Sequence, residues 1–441
     1  MNIISITVGN FKNLAETTIE LNKITALISI NNYGKTNLLE AIDFAFNFIS
    51  ASTKERNNMM RWVKAIPLIK KIAKKPFKFV VELENPTLNE YRFIRYSYTF
   101  SWLQDGGEGA RIIDETIEAR PNTSVKYTSY LKRNENKFRS GKSTGFRKLV
   151  FSDDKLALDY ISAMDADEVE LVPVVNSIIN LKYRMCGDLD LGSSFQQPFP
   201  IEFDFGSHPT LAFDDDDIPR ALSVLKKEDP SSYQLFVETA LDLFPEFESI
   251  DLQQYVLQAD TREQLTAVLE ASTANRKDQE KVPYHLRNEF HRIMIQTKHM
   301  NQPISMEYMS AGTKRIFWLI VNALVSEKAH FNLLGIDEVE TSIHPRLIKG
   351  ILESTSEILE DASILITSHS PYLIQYLKAN RIYVGIPTND GVATFRKIKS
   401  KKMNQIHLTA QSREMTIGEY LFTLISGGSD SIELLETYLE D

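Results

Sequence analysis

One cysteine, Cys186, stands in 441 residues, so no disulfide can close within the chain and a reducing compartment is expected. Long apolar runs are missing as well. The most apolar stretch, Ile316 to Val325, is interrupted by Asn322 and has about half the length needed to span a bilayer. The N-terminus lacks a charged segment followed by an apolar one, so no secretory signal is expected. There is no excess of positive charge: 50 Lys and Arg stand against 59 Asp and Glu, a net charge of −9. That balance argues against a protein that coats nucleic acid along its whole surface, while leaving room for a local basic groove. No internal repeat of roughly 20 to 50 residues is visible, and no heptad run long enough for a coiled-coil arm. A soluble, cytoplasmic protein without a membrane partner is expected.

What is present is ordinary globular material, with 43% hydrophobic, 25% charged and 10% aromatic residues. The first forty residues read as two strands, a loop and a helix. Ile4, Ile6 and Val8 alternate with polar residues, Ile24 to Ile30 is a dense apolar run, and Leu38, Leu39, Ile42, Phe46 and Ile49 recur at helical spacing. Phe77 to Trp102, Ile112 to Glu118 and Lys126 to Arg133 form a β-rich lobe. Leu156 to Glu289 reads as a more helical, acidic middle broken by Pro198, Pro200, Pro209 and Pro230. Strand and helix patterns then return: Arg292 to Gln296, Thr313 to Lys328, Leu333 to Ile336, Arg346 to Leu359, Ser363 to Thr367 and Arg381 to Val384. The expected architecture is α/β, a mixed sheet flanked by helices with a β-rich lobe. The expected segments are residues 1–155, a helical insertion over 156–290, a returning half over 291–400 and a helical tail over 401–441.

Three strand ends carry chemistry. Ser29-Ile30-Asn31-Asn32-Tyr33-Gly34-Lys35-Thr36 lies between a buried strand and a helix and has the form of a phosphate-binding loop. Such a loop needs inward-facing N–H groups at a helix N-terminus, a lysine for the β/γ-phosphates and a hydroxyl for Mg²⁺. Ser29 stands where the first glycine of such loops is usual, which leaves the speed of turnover open. Leu333-Leu334-Gly335-Ile336-Asp337-Glu338 ends a buried strand in two acids. Asp337 can hold Mg²⁺ and Glu338 can act as general base on water, although a strand-end cap would look the same in isolation. Ile364-Leu365-Ile366-Thr367-Ser368-His369 ends another strand in a histidine that can reach a γ-phosphate. A fourth segment, Tyr308-Met309-Ser310-Ala311-Gly312-Thr313-Lys314-Arg315, opens a helix with an N-cap serine and a glycine that lets a phosphate come close. One active site has no use for a second phosphate-binding helix terminus. A composite site, clamped by a second subunit, does.

In their order, these motifs with Glu340 to Pro345 and Thr367 to Pro371 resemble the ABC-type P-loop ATPase heads of the RecF, SMC and OLD-like families. Asn10-Phe11-Lys12-Asn13-Leu14 resembles their N-terminal motif near the nucleotide base and phosphates. The signature is similar to that of the stand-alone AAA-15/AAA-21-type ATPases common in bacterial anti-phage systems of OLD-like, Septu, PARIS and abortive-infection type. The resemblance covers roughly residues 1 to 150 and 290 to 390. It implies nucleotide binding by Lys12, Asn13, Asn31, Asn32, Gly34, Lys35, Thr36 and Asn37, with Mg²⁺ on Thr36 and Asp337. It implies Glu338 as base, His369 as switch histidine, and Ser310, Ala311, Gly312 and Lys314 as the contact in trans. ATP and Mg²⁺ are the expected ligands, and a homodimer formed through ATP is the expected assembly, with higher oligomers left open. The OLD-like nuclease domain would not fit in the seventy or so residues after His369, so an effector, in particular a nuclease, is expected on a separate chain. Two rival readings stand beside this one: a RecF/SMC-like DNA-maintenance ATPase, and a nucleotide-binding scaffold with little turnover. No Q-loop glutamine stands out apart from Gln104.

Weaker signals remain. Lys126 to Lys148 holds eight basic residues and one acid, Glu135, interleaved with Tyr127, Tyr130, Phe138 and Phe146. It could bind DNA, or it could be a solvated hairpin face. Lys70, Lys71, Lys74, Lys75 and Lys78 form a second basic cluster on an expected helix end. Asp214 to Asp217 lacks the spacing of a calcium loop, and His285, His291 and His299 lack zinc-site company, so no structural metal is expected.

Overall fold

Strand β1 (Asn2–Gly9) pairs antiparallel with β2 (Thr17–Glu20) before the chain enters β3 (Ile24–Ile28), whose five residues are all buried. Three strands therefore precede the first helix rather than the expected two. The extra one, Thr-Thr-Ile-Glu, is too short for its alternation to stand out and exists through its pairing with β1. Helix α1 (Lys35–Ser50) buries ten of its sixteen residues, so it is wrapped on more than one side. A capping box at Ser52 and Glu55 then starts α2 (Thr53–Met60).

The β-rich lobe is one antiparallel sheet in the order β2-β1-β4-β5-β6-β7-β8-β9, its later strands being β4 (Phe77–Glu84), β5 (Phe93–Ser101), β6 (Arg111–Arg120), β7 (Thr128–Asn134), β8 (Lys137–Ser140) and β9 (Arg147–Lys148). Period-two alternation turns Phe77, Phe79, Val81, Tyr96, Tyr98 and Phe100 inward. These rings meet α1: Phe48 and Phe100 stack at 4.9 Å, and Phe44 meets Phe77 edge-on at 5.3 Å. Helices α3 (Ala157–Ile161) and α4 (Val172–Ile179) follow, then strand β10 (Tyr183–Cys186).

The computed structural model describes every residue except 135–136, 141–144, 146, 149–151, 165–169, 188, 190–193, 196–200, 204–216, 275–283, 287–288, 387, 389 and 441. The chain forms two units, Met1–Gly187 with His330–Glu340 and Leu359–Asp441, and Asp188–Ala329 with Thr341–Ile358. The second unit contains α5 (Ile218–Glu228), α6 (Pro230–Leu243), α7 (Ala259–Ala274), α8 (Ala311–Lys328) and α9 (Pro345–Ile358). It also holds a three-stranded antiparallel sheet of β12 (Phe247–Val256), β14 (Glu289–Thr297) and β15 (Ile304–Ser305), and a small pair of β11 (Ile201–Phe203) with β13 (Tyr284–Leu286). Phe317 of α8 packs edge-on against Phe236 of α6 at 5.2 Å. The expected insertion over 156–290 is thus neither purely helical nor bounded there. Residues 157–187 pack in the first unit, because β10 joins its parallel sheet.

In that first unit the remaining elements are β16 (Leu333–Ile336), β17 (Ser363–Ser368), α10 (Pro371–Ile374), β18 (Ile382–Gly385), β19 (Phe395–Lys397), α11 (Met403–Ser412), α12 (Ile417–Ile425) and α13 (Ser429–Tyr438). The second sheet runs β10-β16-β17-β3-β18-β19, parallel except for the edge strand β19. Its inner strands are apolar because both faces are covered. α1 bridges the two sheets, with Phe46 5.9 Å from Tyr183 of β10. The carboxyl ends of β3, β16 and β17 lie side by side, the place where open α/β sheets bind ligands. The lysine cluster expected on a helix end lies instead on turns and the start of β4, where Lys71 pairs with Asp390 and Lys78 with Glu16. Among the described residues no helix is long and apolar enough to cross a membrane.

Candidate functional site

A cleft of about 340 Å³ opens at those strand ends, lined by Asn31 to Asn37, Glu338 and His369. Its floor is the loop between β3 and α1. Gly34 takes φ +130° and Asn32 φ +57°, conformations that turn the chain into the helix, and no side chain caps the first turn of α1. The first-turn N–H groups lie at the N-terminal, positive end of a sixteen-residue helix, which favours an anion. Ser29, the departure from the usual glycine, is fully buried, and its backbone is not in the left-handed region. The room for its side chain comes from the neighbouring strand. A Cβ on Gly385 would fall 2.8 Å from the Ser29 Cβ and 2.5 Å from the Tyr33 ring.

Lys35 reaches back over this loop. Its Nζ lies 3.2 Å from the Ser29 carbonyl oxygen, 3.1 Å from that of Ile30 and 3.2 Å from His369 Nδ1. Burial lowers its pKa to about 8, against the opposing pull of Asp337, Glu338 and Glu340. The other ring nitrogen of His369, Nε2, faces Glu338 Oε1 at 3.2 Å. Lys35, His369 and Glu338 therefore form one polar chain across the cleft. Glu338 is held at φ +45°, a strained backbone for a non-glycine residue.

Thr36 donates from Oγ1 to Asp337 Oδ2 at 2.7 Å, joining the helix start to the end of β16. Asp337 is buried and accepts a second hydroxyl, that of Thr367, while Thr367 Oγ1 accepts from the Glu338 N–H at 2.8 Å. Sequence reasoning gave Thr367 no role. A threonine closing a run of buried aliphatic residues was the available signal. A hydroxyl and a carboxylate side by side at a loop open to phosphate suit Mg²⁺, a hard cation that takes few protein oxygens and keeps water and phosphate ligands. No cluster of three or more His, Cys, Asp or Glu competes for a metal among the described residues.

Two expected nucleotide ligands do not line the cleft. Lys12 pairs with Glu40 of α1, and its N–H donates to the Ala65 carbonyl at 2.8 Å. Asn13 braces the loop from behind: its Nδ2 donates to the Tyr33 carbonyl at 2.9 Å, and its Oδ1 accepts from Asn37 at 2.7 Å. Gln104 lies in an exposed turn after β5, away from the cleft lining.

In the second unit, Ser310 N-caps α8, its Oγ accepting from the Thr313 N–H at 3.1 Å. Ala311 and Lys314 lie in that helix's first turn. Ser310 is exposed and Tyr308 beside it is 77% exposed, so the helix start is open to solvent. Gly312 has an internal reason for its missing side chain, since a Cβ there would fall 2.5 Å from the Ser342 carbonyl oxygen.

The basic stretch is partly spent on the fold. Arg133 is fully buried near Glu115, and Tyr127 is sandwiched by Arg95 and Arg120, each 4.2 Å from its ring centre. Lys126, Lys132 and Lys137 remain exposed; Glu135, Asn136, Gly141 to Thr144 and Phe146 lie outside the described residues. So do Asp214 to Asp216, while Asp217 caps α5 by accepting from the Arg220 N–H at 3.1 Å. His285's side chain is likewise outside, and His291 is buried against Ser223 Oγ at 2.9 Å.

Two family models match the chain. Residues 1–160 match "AAA ATPase domain", and residues 203–375 match "AAA domain, putative AbiEii toxin, Type IV TA system". Among solved structures, the SMC head bound to the C-winged helix domain of ScpA is 11% identical, covering 91% of this chain and all of that one, with a TM-score of 0.50. The SMC head domain from Thermotoga maritima is 11% identical, covering 90% and 100%, with a TM-score of 0.43. The recombination mediator RecF is 12% identical, covering 89% and 97%, with a TM-score of 0.40. No curated protein sequence matches.

Proposed function

We propose that this chain is an ABC-type ATPase of the RecF/SMC kind, which binds and hydrolyses ATP between two copies of itself and thereby switches a separate effector. The observation that carries the reading is the convergence of three strand ends on one cleft. β3 brings Lys35 and Thr36, β16 brings Asp337 and Glu338, and β17 brings His369, linked by the 2.7 Å Thr36–Asp337 bond and the Lys35–His369–Glu338 chain.

In this reading the loop N–H groups and Lys35 hold the β- and γ-phosphates, offsetting their charge. Thr36 and Asp337 would hold Mg²⁺, and the ion would supply positive charge beside the phosphate oxygens. Glu338 orients the attacking water and takes its proton, and His369 beside it turns its imidazole toward the γ-phosphoryl group. The exposed start of α8 from a second copy, with Ser310, Ala311, Gly312 and Lys314, supplies the remaining anion contacts. ATP binds the closed dimer better than the open one, and hydrolysis reverses that preference.

An effector on another chain, and a role in bacterial anti-phage defence, extend this reading. They are supported by the toxin–antitoxin description of the second family model and by an SMC head of this fold that binds a winged-helix partner. Lys35→Ala tests the core of the proposal. Removing a charge-assisted contact should weaken ATP binding, measured by calorimetry, by about tenfold or more. Unchanged affinity would remove the cleft from consideration.

A further inference from the structure

Glu340 plays no part in the steps above, yet its surroundings are unusual. It stands two residues beyond Glu338, where the chain leaves β16, and its Oε1 accepts the main-chain N–H of His369 at 2.5 Å. Its other oxygen, Oε2, is buried without a hydrogen-bond partner. An Oε2 held from water without a partner costs stability, so a position with no need to accept the His369 N–H would be better filled by an apolar side chain. The residue it grips is the one whose ring must face two ways, Nδ1 toward Lys35 and Nε2 toward Glu338, each at 3.2 Å. Rotation of that main-chain segment by a small angle would break both contacts.

We infer that Glu340 is a positioning residue for ATP hydrolysis, fixing the backbone at His369 so that its imidazole stays between Lys35 and Glu338. The inference rests on the reading of the cleft as an ATPase site. It adds a residue that never touches the nucleotide and acts through the histidine.

The substitutions separate geometry from charge. Glu340→Gln keeps an oxygen for the His369 N–H and loses only the charge; Glu340→Ala loses both. Calorimetry should give both variants an ATP affinity within about threefold of the parent, because the loop N–H groups stay in place and Glu340 is the weakest of the three carboxylates that act on Lys35. Turnover should fall about tenfold or more in Glu340→Ala, as in His369→Ala, and remain within about threefold in Glu340→Gln. The double variant Glu340→Ala/His369→Ala should be no more than about twofold slower than His369→Ala alone, since both act through one group. Amide hydrogen exchange over Thr367 to Tyr372 should quicken in Glu340→Ala and not in Glu340→Gln. That measurement needs no turnover, so it judges the positioning claim even where the parent protein fails to hydrolyse ATP and the ATPase reading falls. The inference is overturned by unchanged exchange in Glu340→Ala, by turnover in Glu340→Ala equal to the parent, by equal defects in the two variants, or by losses that multiply in the double variant. Thermal melts of both variants separate a misfolded protein from a displaced histidine.

Discussion

Ser29 is the residue at which the sequence departs most from a phosphate-binding loop, and the structure moves the explanation to another strand. Its side chain fits because Gly385 of β18 has none, so the pair works as one unit. Gly385→Ala should press a methyl group into the Ser29 Cβ and the Tyr33 ring. Overpacking of this kind costs about 1–3 kcal/mol and displaces the loop, so ATP affinity should fall about tenfold. Adding Ser29→Gly should recover part of the loss, the Tyr33 contact remaining. Calorimetry on the two variants checks both statements; parent-like affinity in Gly385→Ala would show that the loop does not depend on this space. At this scale Lys35, Thr36, Asp337, Glu338 and His369 were legible because each closes or follows an apolar run whose type is fixed by its neighbours. Thr367, Glu340 and Gly385 were not legible. Their roles come from contacts between strands distant in sequence, and nothing local to each residue reports them.

Helix α1 shows what the site demands of its supporting element. Asp43 lies half-buried on it, where desolvation, and then Glu40 beside it, push its carboxyl up to about 6, against the hydrogen bond from Asn47. The folded state holds this proton more tightly than the unfolded chain does. Its stabilising contribution is therefore present below the ordinary aspartate value and is lost as pH rises through about 6. Above that, a half-buried charge remains. Asp43→Asn should raise stability near pH 7.5 by on the order of 2 kcal/mol, and the gain should vanish near pH 4. Melting curves at the two pH values decide it, and an equal gain at both would exclude titration of Asp43 as the cause. Elements with strong patterns, α1, β4, β5, α8 and β17, were readable from periodicity. The four-residue strands β2 and β10 were not, because their conformation is imposed by pairing with β1 and β16. The boundary of the insertion was misplaced for the same reason.

For the whole molecule, the proposal turns on two helix starts. α1 opens a cleft lined by Lys35, Glu338 and His369, while α8 opens at an exposed Ser310 in the other unit. In the proposed dimer each α8 would complete the other copy's cleft, which would use both. The most direct test is steady-state ATP hydrolysis by Ser310→Arg, by Lys35→Ala and by their mixture. In a two-fold dimer containing one of each, both lesions fall on one composite site and leave the other whole. Each variant alone should be inactive, and the mixture should recover about a quarter of the parent rate after subunit exchange, from half the dimers carrying one intact site. Hydrolysis by Ser310→Arg alone at the parent rate would contradict the account, because α8 would then be an ordinary capped helix.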